Sequence, residues 1–337
     1  MLELKPLSVV GLGSVPFVEG KNSCEEIFKN WDIPFWPQYP GRSLRENFVF
    51  QFLSTFPGLK VSAASVSFDK SEYCRRENKY VEKLKQALLN HETIFNFEPP
   101  SDWALGYSQM KKLLSRKAGS KKKIIKLQVT GPGTVWNSFF KKYVSKSLSL
   151  KVEKTLTASL IAGGLAQIYR VLSYGKIPMI FIDEPVRIKN RSGLKRMVTA
   201  FKESGGVVGV HVCSRPDWGD LYDLNLDIFH FDATACDKLT DGQCRFIRNH
   251  LKKGKWVAWG AVPTLKINKK RGKKLLKQIN QIADSSLNWK DVLNRSLMAP
   301  ACGTGGLKPE QDGAIFEDLQ AFRDRIKSLR EKNQKRS

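Results

Sequence analysis

The chain has 337 residues, 41% of them hydrophobic, which is enough to bury a sizeable core and too apolar for a disordered polymer. Its 57 Lys+Arg against 32 Asp+Glu leave a formal charge of +25, although the total charged fraction, 26%, is ordinary. No run approaches the ~18 apolar residues that span a bilayer, the N-terminus lacks the plan of a signal peptide, and six cysteines without a CxxC pair fit a reducing, cytoplasmic setting better than a disulfide scaffold.

In chain order, short β-rich apolar runs alternate with longer amphipathic stretches. The first run, 7–12, leads into Gly11-Leu12-Gly13-Ser14-Val15-Pro16. That loop has two glycines of a dinucleotide fingerprint, but Pro16 stands where the third belongs, so the reading is rejected. A long segment, 15–58, with Trp31, Trp36, Pro37, Tyr39 and Pro40, precedes the next run at 60–64. Ordered insertions of this length are usually functional. Further strands are expected at 123–129, 177–182, 206–212, 226–231, 256–261 and 296–299. Helical patterns occupy 79–89, 156–173, 194–204, 238–252, 271–283 and 309–330.

Near-continuously apolar strands alternating with helices indicate an α/β fold with a parallel sheet covered on both faces. Eight such units predict a closed (β/α)8 TIM barrel, with a doubly wound open sheet as the competitor. The barrel is expected to fill 1–327 as one domain, with a long loop segment after the first strand. The polar, basic tail 328–337 is expected to fray.

The strongest chemical signal is His211-Val212-Cys213 at the end of the fifth expected strand. Residues two apart on a strand share a face, so both side chains can reach one metal ion. Asp232 ends the sixth strand and Cys302 follows the eighth. In a parallel barrel the strand C-termini open on one face, where sites form. A His/Cys/Cys set suits zinc, with a carboxylate or a substrate in the fourth position. Singly, each of these residues is better read as packing; three at strand ends on one face reverse that preference. His230 shares a face with Asp232 and is read as supporting or packing, His91 and His250 as surface helix residues, and Cys236 and Cys244 as structural. Zinc held by two thiolates is an electron-rich centre suited to binding a further thiol as thiolate, which points to alkyl transfer to sulfur.

Asp183 and Glu184, locked by Pro185 at the end of the fourth strand, offer an acid for a substrate ammonium group. Capping the next helix is the more frequent role for Glu184. The amides around Gly13 and Ser14 offer a carboxylate site, and Gln128-Val129-Thr130-Gly131-Pro132-Gly133-Thr134 allows close backbone approach to a ligand. An acid for an amine, a serine loop for a carboxylate and zinc for a thiol together describe an amino-acid thiol such as homocysteine.

At this point the sequence resembles the catalytic C-terminal half of the cobalamin-independent methionine synthase family, which shares its barrel superfamily with uroporphyrinogen decarboxylase. The motifs are Gly-Leu-Gly-Ser-Val-Pro-Phe at 11–17, Trp-Pro-Gln-Tyr-Pro at 36–40, Gln-Val-Thr-Gly-Pro-Gly-Thr at 128–134 and Ile-Asp-Glu-Pro at 182–185. His-Val-Cys at 211–213, Trp-Gly-Ala-Val-Pro-Thr at 259–264 and Ala-Cys-Gly at 301–303 follow in order. The resemblance implies zinc on His211, Cys213 and Cys302, with Asp232 where the family has Glu, and homocysteine contacts at Ser14 and Asp183. It implies a methyl donor that is either a polyglutamylated methyl-folate or a methyl-corrinoid, and the charge of +25 is suited to docking an acidic donor, either a polyglutamate tail or an acidic corrinoid carrier protein. Family members carry a tryptophan one or two places beyond Trp136, which bears on folate stacking there.

Two other readings compete. A decarboxylase-like barrel acting on a tetrapyrrole would draw paired basic groups from Arg42 and Arg45, but has no need of His211, Cys213 and Cys302. A basic barrel binding nucleic acid or an acidic partner would use the lysine blocks at 111–126, 141–154 and 266–277. No nucleic-acid motif accompanies them, and a solvated outer face, away from the strand ends, is the more frequent explanation.

Overall fold

A computed structural model describes residues 4–17, 23–185, 191–213, 217–264, 272–285 and 287–334. The N-terminal part holds helix α1 (Ser23–Asn30), a hairpin of β1 (Leu59–Val61) and β2 (Val66–Phe68), and helices α2 (Lys70–Leu89) and α3 (Leu105–Arg116). The rest alternates strand and helix. It runs β3 (Ile124–Thr130), α4 (Pro132–Ser138), α5 (Lys146–Ser173), β4 (Ile177–Asp183), α6 (Ser192–Glu203), β5 (Val207–Val212), β6 (Ile228–Asp232) and α7 (Asp241–Lys252). Then come β7 (Trp256–Val262), α8 (Gly272–Ile282), α9 (Trp289–Asn294), β8 (Ser296–Pro300) and α10 (Pro309–Gln334).

Strands β3 to β8 form a six-stranded sheet in sequence order, every neighbour parallel. Each residue of β5 and of β7 is buried, as expected of strands covered on both faces. The helices reach that cover by ordinary local rules. In α7, Thr240 and Gln243 form a capping box, and Phe246, Ile247, His250 and Leu251 make one buried face at helical spacing. His250 is therefore not a surface residue: it lies under that face, with Nε2 donating to the carbonyl of Trp256 at 3.1 Å. His91 is exposed and its ring lies 4.2 Å from that of Tyr169.

The expected closed eight-stranded barrel is not formed. The sheet is an open half-barrel of six strands, and the two missing strands fail for local reasons. Along 7–12 the chain makes only single bridges, Val9 to Met298 and Val10 to Ile33. Leu7 has φ of 62°, a conformation that breaks an extended run, and the N–H of Val9 donates to the carboxylate of Asp32 at 2.8 Å instead of to a strand carbonyl. On the other edge Phe35 makes one bridge to Lys126, beside Pro34, which has no N–H to offer. The run at 60–64 bends back into the β1–β2 hairpin: the hydroxyl of Ser62 accepts from the N–H groups of Ala64 and Ser65, closing a serine turn.

Helix α5 packs on α6 through glycine. A Cβ on Gly164 would lie 2.2 Å from the ring of Phe201, which is fully buried. Phe201→Ala is expected to cost about 3–5 kcal/mol, read as a lower urea midpoint with an unchanged slope. No helix among the described residues is long and apolar enough to cross a membrane.

Candidate metal centre

The ends of β5 and β8 place three ligand-type side chains together. His211 and Cys213 project from one side of β5 and its exit, and Cys302 follows β8 by two residues. Their ligand atoms lie within 4.8 Å of one another, with Cys302 Sγ 3.9 Å from His211 Nε2. His211 is buried and both cysteines are partly exposed, so the cluster is backed by protein and reachable from solvent.

The hydrogen bonds fix which nitrogen of His211 is available. His230, beside it on β6, places Nε2 3.1 Å from the carbonyl of Pro300 and Nδ1 2.7 Å from Nδ1 of His211. A carbonyl only accepts, so His230 Nε2 carries the proton and its Nδ1 accepts. His211 must then donate through Nδ1, which leaves Nε2 with a lone pair facing Cys302. Both rings are held neutral: burial, then the neighbouring His230 and Lys126, pushes His211 well below the usual imidazole range, and burial is the main cause that takes His230 down to about 3. The hydrogen bond from Cys213 is the main cause that holds the Cys302 thiol below its ordinary value; burial opposes it and the Gly303 N–H assists.

His230 thus orients the candidate ligand His211 and lies outside the group of three. His230→Phe is expected to weaken zinc binding roughly 10–100-fold in chelator competition while leaving the fold intact. An unchanged affinity would contradict that role.

Asp232, the fourth expected ligand, stands outside the group of three. Its Oδ1 accepts from the N–H and the hydroxyl of Thr234, both at 2.7 Å, turning it onto its own loop. Asp183 ends β4 in register with His211; it is 8% exposed, and its Oδ1 has no hydrogen-bond partner among the described residues. Glu184 is fully buried, with Oε2 accepting from the N–H of Gly133 at 3.1 Å and Oε1 from the hydroxyl of Thr134, so it caps the earlier helix α4 and not the helix that follows it. A Cβ on Gly131 would lie 2.0 Å from that Oε2, so the position has room only for glycine. The hydroxyl of Ser14 accepts from Gly305 N–H at 3.3 Å, and the Ser14 carbonyl accepts from Thr304, which lays the 11–15 loop against the loop that carries Cys302.

Lys126 is a residue that the sequence reading passed over. It is fully buried on β3, with Nζ donating to the carbonyl of Leu12 and, at 3.0 Å, to Gln128 Oε1, over the ring of Phe181 at 5.3 Å. Burial lowers its pKa and raises that of Asp183, and each charge pulls the other back toward its ionised form. A lysine in the middle of the apolar strand Ile-Ile-Lys-Leu-Gln-Val was the available signal, since a buried ammonium needs partners.

The two arginines of the decarboxylase reading are engaged elsewhere. Arg42 pairs with buried Glu46 at 2.8 Å, and Arg45 with Asp102 at 2.7 Å. Of the lysine blocks, 266–271 lies outside the described residues, Lys126 is internal, and Lys141 and Lys154 flank a cavity beside the loop after β3, not a remote outer face.

Compared with known proteins, the chain is 27% identical to a methionine synthase of Thermoplasma acidophilum over 133 residues. That stretch covers 37% of this chain and 39% of the relative, so well under two thirds of the relative's length is matched. No family model matches the chain. The similarity supports a methionine synthase-like protein and goes no finer than that.

Proposed function

We propose that the chain is a zinc-dependent methyltransferase that methylates a thiol, homocysteine in the first instance, giving methionine. The observation that carries this reading is the convergence of His211, Cys213 and Cys302, each a soft or borderline donor, at one end of the sheet. The donor set fits zinc: one imidazole nitrogen with its lone pair directed at the cluster, one thiol already biased toward thiolate, and a second thiol beside it. Bound there, zinc lowers the pKa of an incoming thiol so that it is thiolate near neutral pH.

The chain's own groups do the rest. Asp183, with an unclaimed buried oxygen, accepts a hydrogen bond from the substrate ammonium group. The Ser14 loop meets the substrate carboxylate beside Cys302. Asp232 either joins the metal after leaving Thr234 or acts through water, and Glu184 keeps the α4 turn in place behind Asp183. Sulfur then attacks the donor methyl in line: the S–CH3 bond forms as the CH3–donor bond breaks, and the electron pair leaves with the donor. A methyl-folate needs its leaving nitrogen protonated; a methyl-corrinoid does not, and an acidic corrinoid carrier protein would suit a chain of charge +25.

The test is a methyl-transfer assay with homocysteine, offering methyl-folate and methylcobalamin separately. Methionine formed from either donor supports the reading and names the donor class. Zinc-loaded protein that forms none from both contradicts it.

A further inference from the structure

A cavity of about 270 Å³ lies beside the loop after β3, between α4, α5 and α6. Its wall carries Trp136, and its rim carries Lys141, Lys154 and Arg196 against one acid, Glu153. All three cations are exposed, and none has an ion-pair partner among the described residues. By contrast, Lys111 and Arg170 share Glu98, and Lys202 and Lys255 share Asp227. The first turn of α6 also faces this cavity through Ser192 and Gly193, and its N-cap residue, Arg191, provides no side-chain cap. Gly193 sits so close to Thr157 and Pro132 that a Cβ there would be 3.0 Å from the Thr157 hydroxyl, which keeps the three helices together around the space.

We infer that this cavity binds a multiply charged small oxyanion, a phosphate-type or polycarboxylate group of a ligand. Three cations lining one space, without an ion-pair partner among the described residues, repel one another and the helix N-terminus; an anion of two or more charges relieves both. Arg196 supplies a planar fork for two oxygens, and Lys154 and Lys141 supply point charges. The cavity also adjoins the candidate metal centre through a short chain of contacts. Gly133 lines it and donates to Glu184, whose own N–H donates to the carbonyl of His211 at 3.0 Å. The inference does not rest on the metal and fails or stands separately from it.

Titration calorimetry of the full chain with inorganic pyrophosphate and, separately, citrate tests it, alongside the Lys154→Gln/Arg196→Gln double variant and the Lys79→Gln control. Lys79 is exposed on α2, outside the cavity lining. The expected result is saturable binding of at least one anion at a single site, weakened by roughly tenfold or more in the double variant and unchanged in the control. Pyrophosphate preference identifies a phosphate-type ligand and citrate preference a polycarboxylate. Chelation of metal persists in the double variant, which keeps His211, Cys213 and Cys302, and so cannot mimic the expected loss. Absence of saturable binding by both anions, or equal binding in parent and double variant, overturns the inference.

Discussion

Cys302→Ser is expected to remove zinc and thiol methylation together. Purified parent chain should carry about one zinc ion, and the variant less than roughly a tenth of that after dialysis, read by elemental analysis. The reason is the donor count. Among the described residues only three ligand atoms cluster within 4.8 Å, and Asp232 already accepts two hydrogen bonds from Thr234, so none of these residues stands ready as a fourth ligand. A hydroxyl is also a far poorer zinc ligand than a thiolate. Cys213→Ser should behave alike. Far-UV circular dichroism should be unchanged in both, because both cysteines are partly exposed and lie beyond the strands. Full zinc content in either variant would contradict the assignment of the cluster.

Lys126→Met carries the other large effect. It keeps much of the side-chain volume but deprives the Leu12 carbonyl and Gln128 Oε1 of a donor, and Asp183 of its nearest buried positive charge. Leaving buried acceptors without their donor costs about 1–3 kcal/mol, here read by urea unfolding of the metal-free chain. Coupling to Asp183 predicts that the Lys126→Met/Asp183→Asn double variant loses less than the sum of the single variants, by roughly 0.5–3 kcal/mol. Additive losses would show that Lys126 acts through the carbonyl and Gln128 alone. The Leu12 contact matters for the site because it ties the 11–15 loop, and with it Ser14, to β3.

The sheet was readable in the sequence where strands are apolar throughout and punctuated by glycine or proline. All six parallel strands fall within two residues of the expected bounds. The first two expected strands carried the same apolar signal and did not pair as ladders. What decides them is not hydrophobicity but the competition for backbone hydrogen bonds: Asp32 claims the N–H of Val9, and Ser62 claims those of Ala64 and Ser65. Asp32 acts on Val9 over a separation that a local pattern does not register, whereas the Ser62 turn is a local competitor that the apolar pattern does not weigh. The site was legible to the same extent. The spacing of His211 and Cys213 follows from strand geometry, and Cys302 from the rule that parallel strands end on one face. The orientation of His211 by His230, and the coupling of Lys126 on β3 to Asp183 on β4, depend on cross-strand register, which sequence spacing does not specify.

X-ray absorption at the zinc edge, with and without homocysteine, tests the central claim most directly. The account predicts about two sulfur neighbours per zinc in the protein alone, from Cys213 and Cys302, and about three once homocysteine is added. A coordination shell unchanged by saturating homocysteine would contradict it.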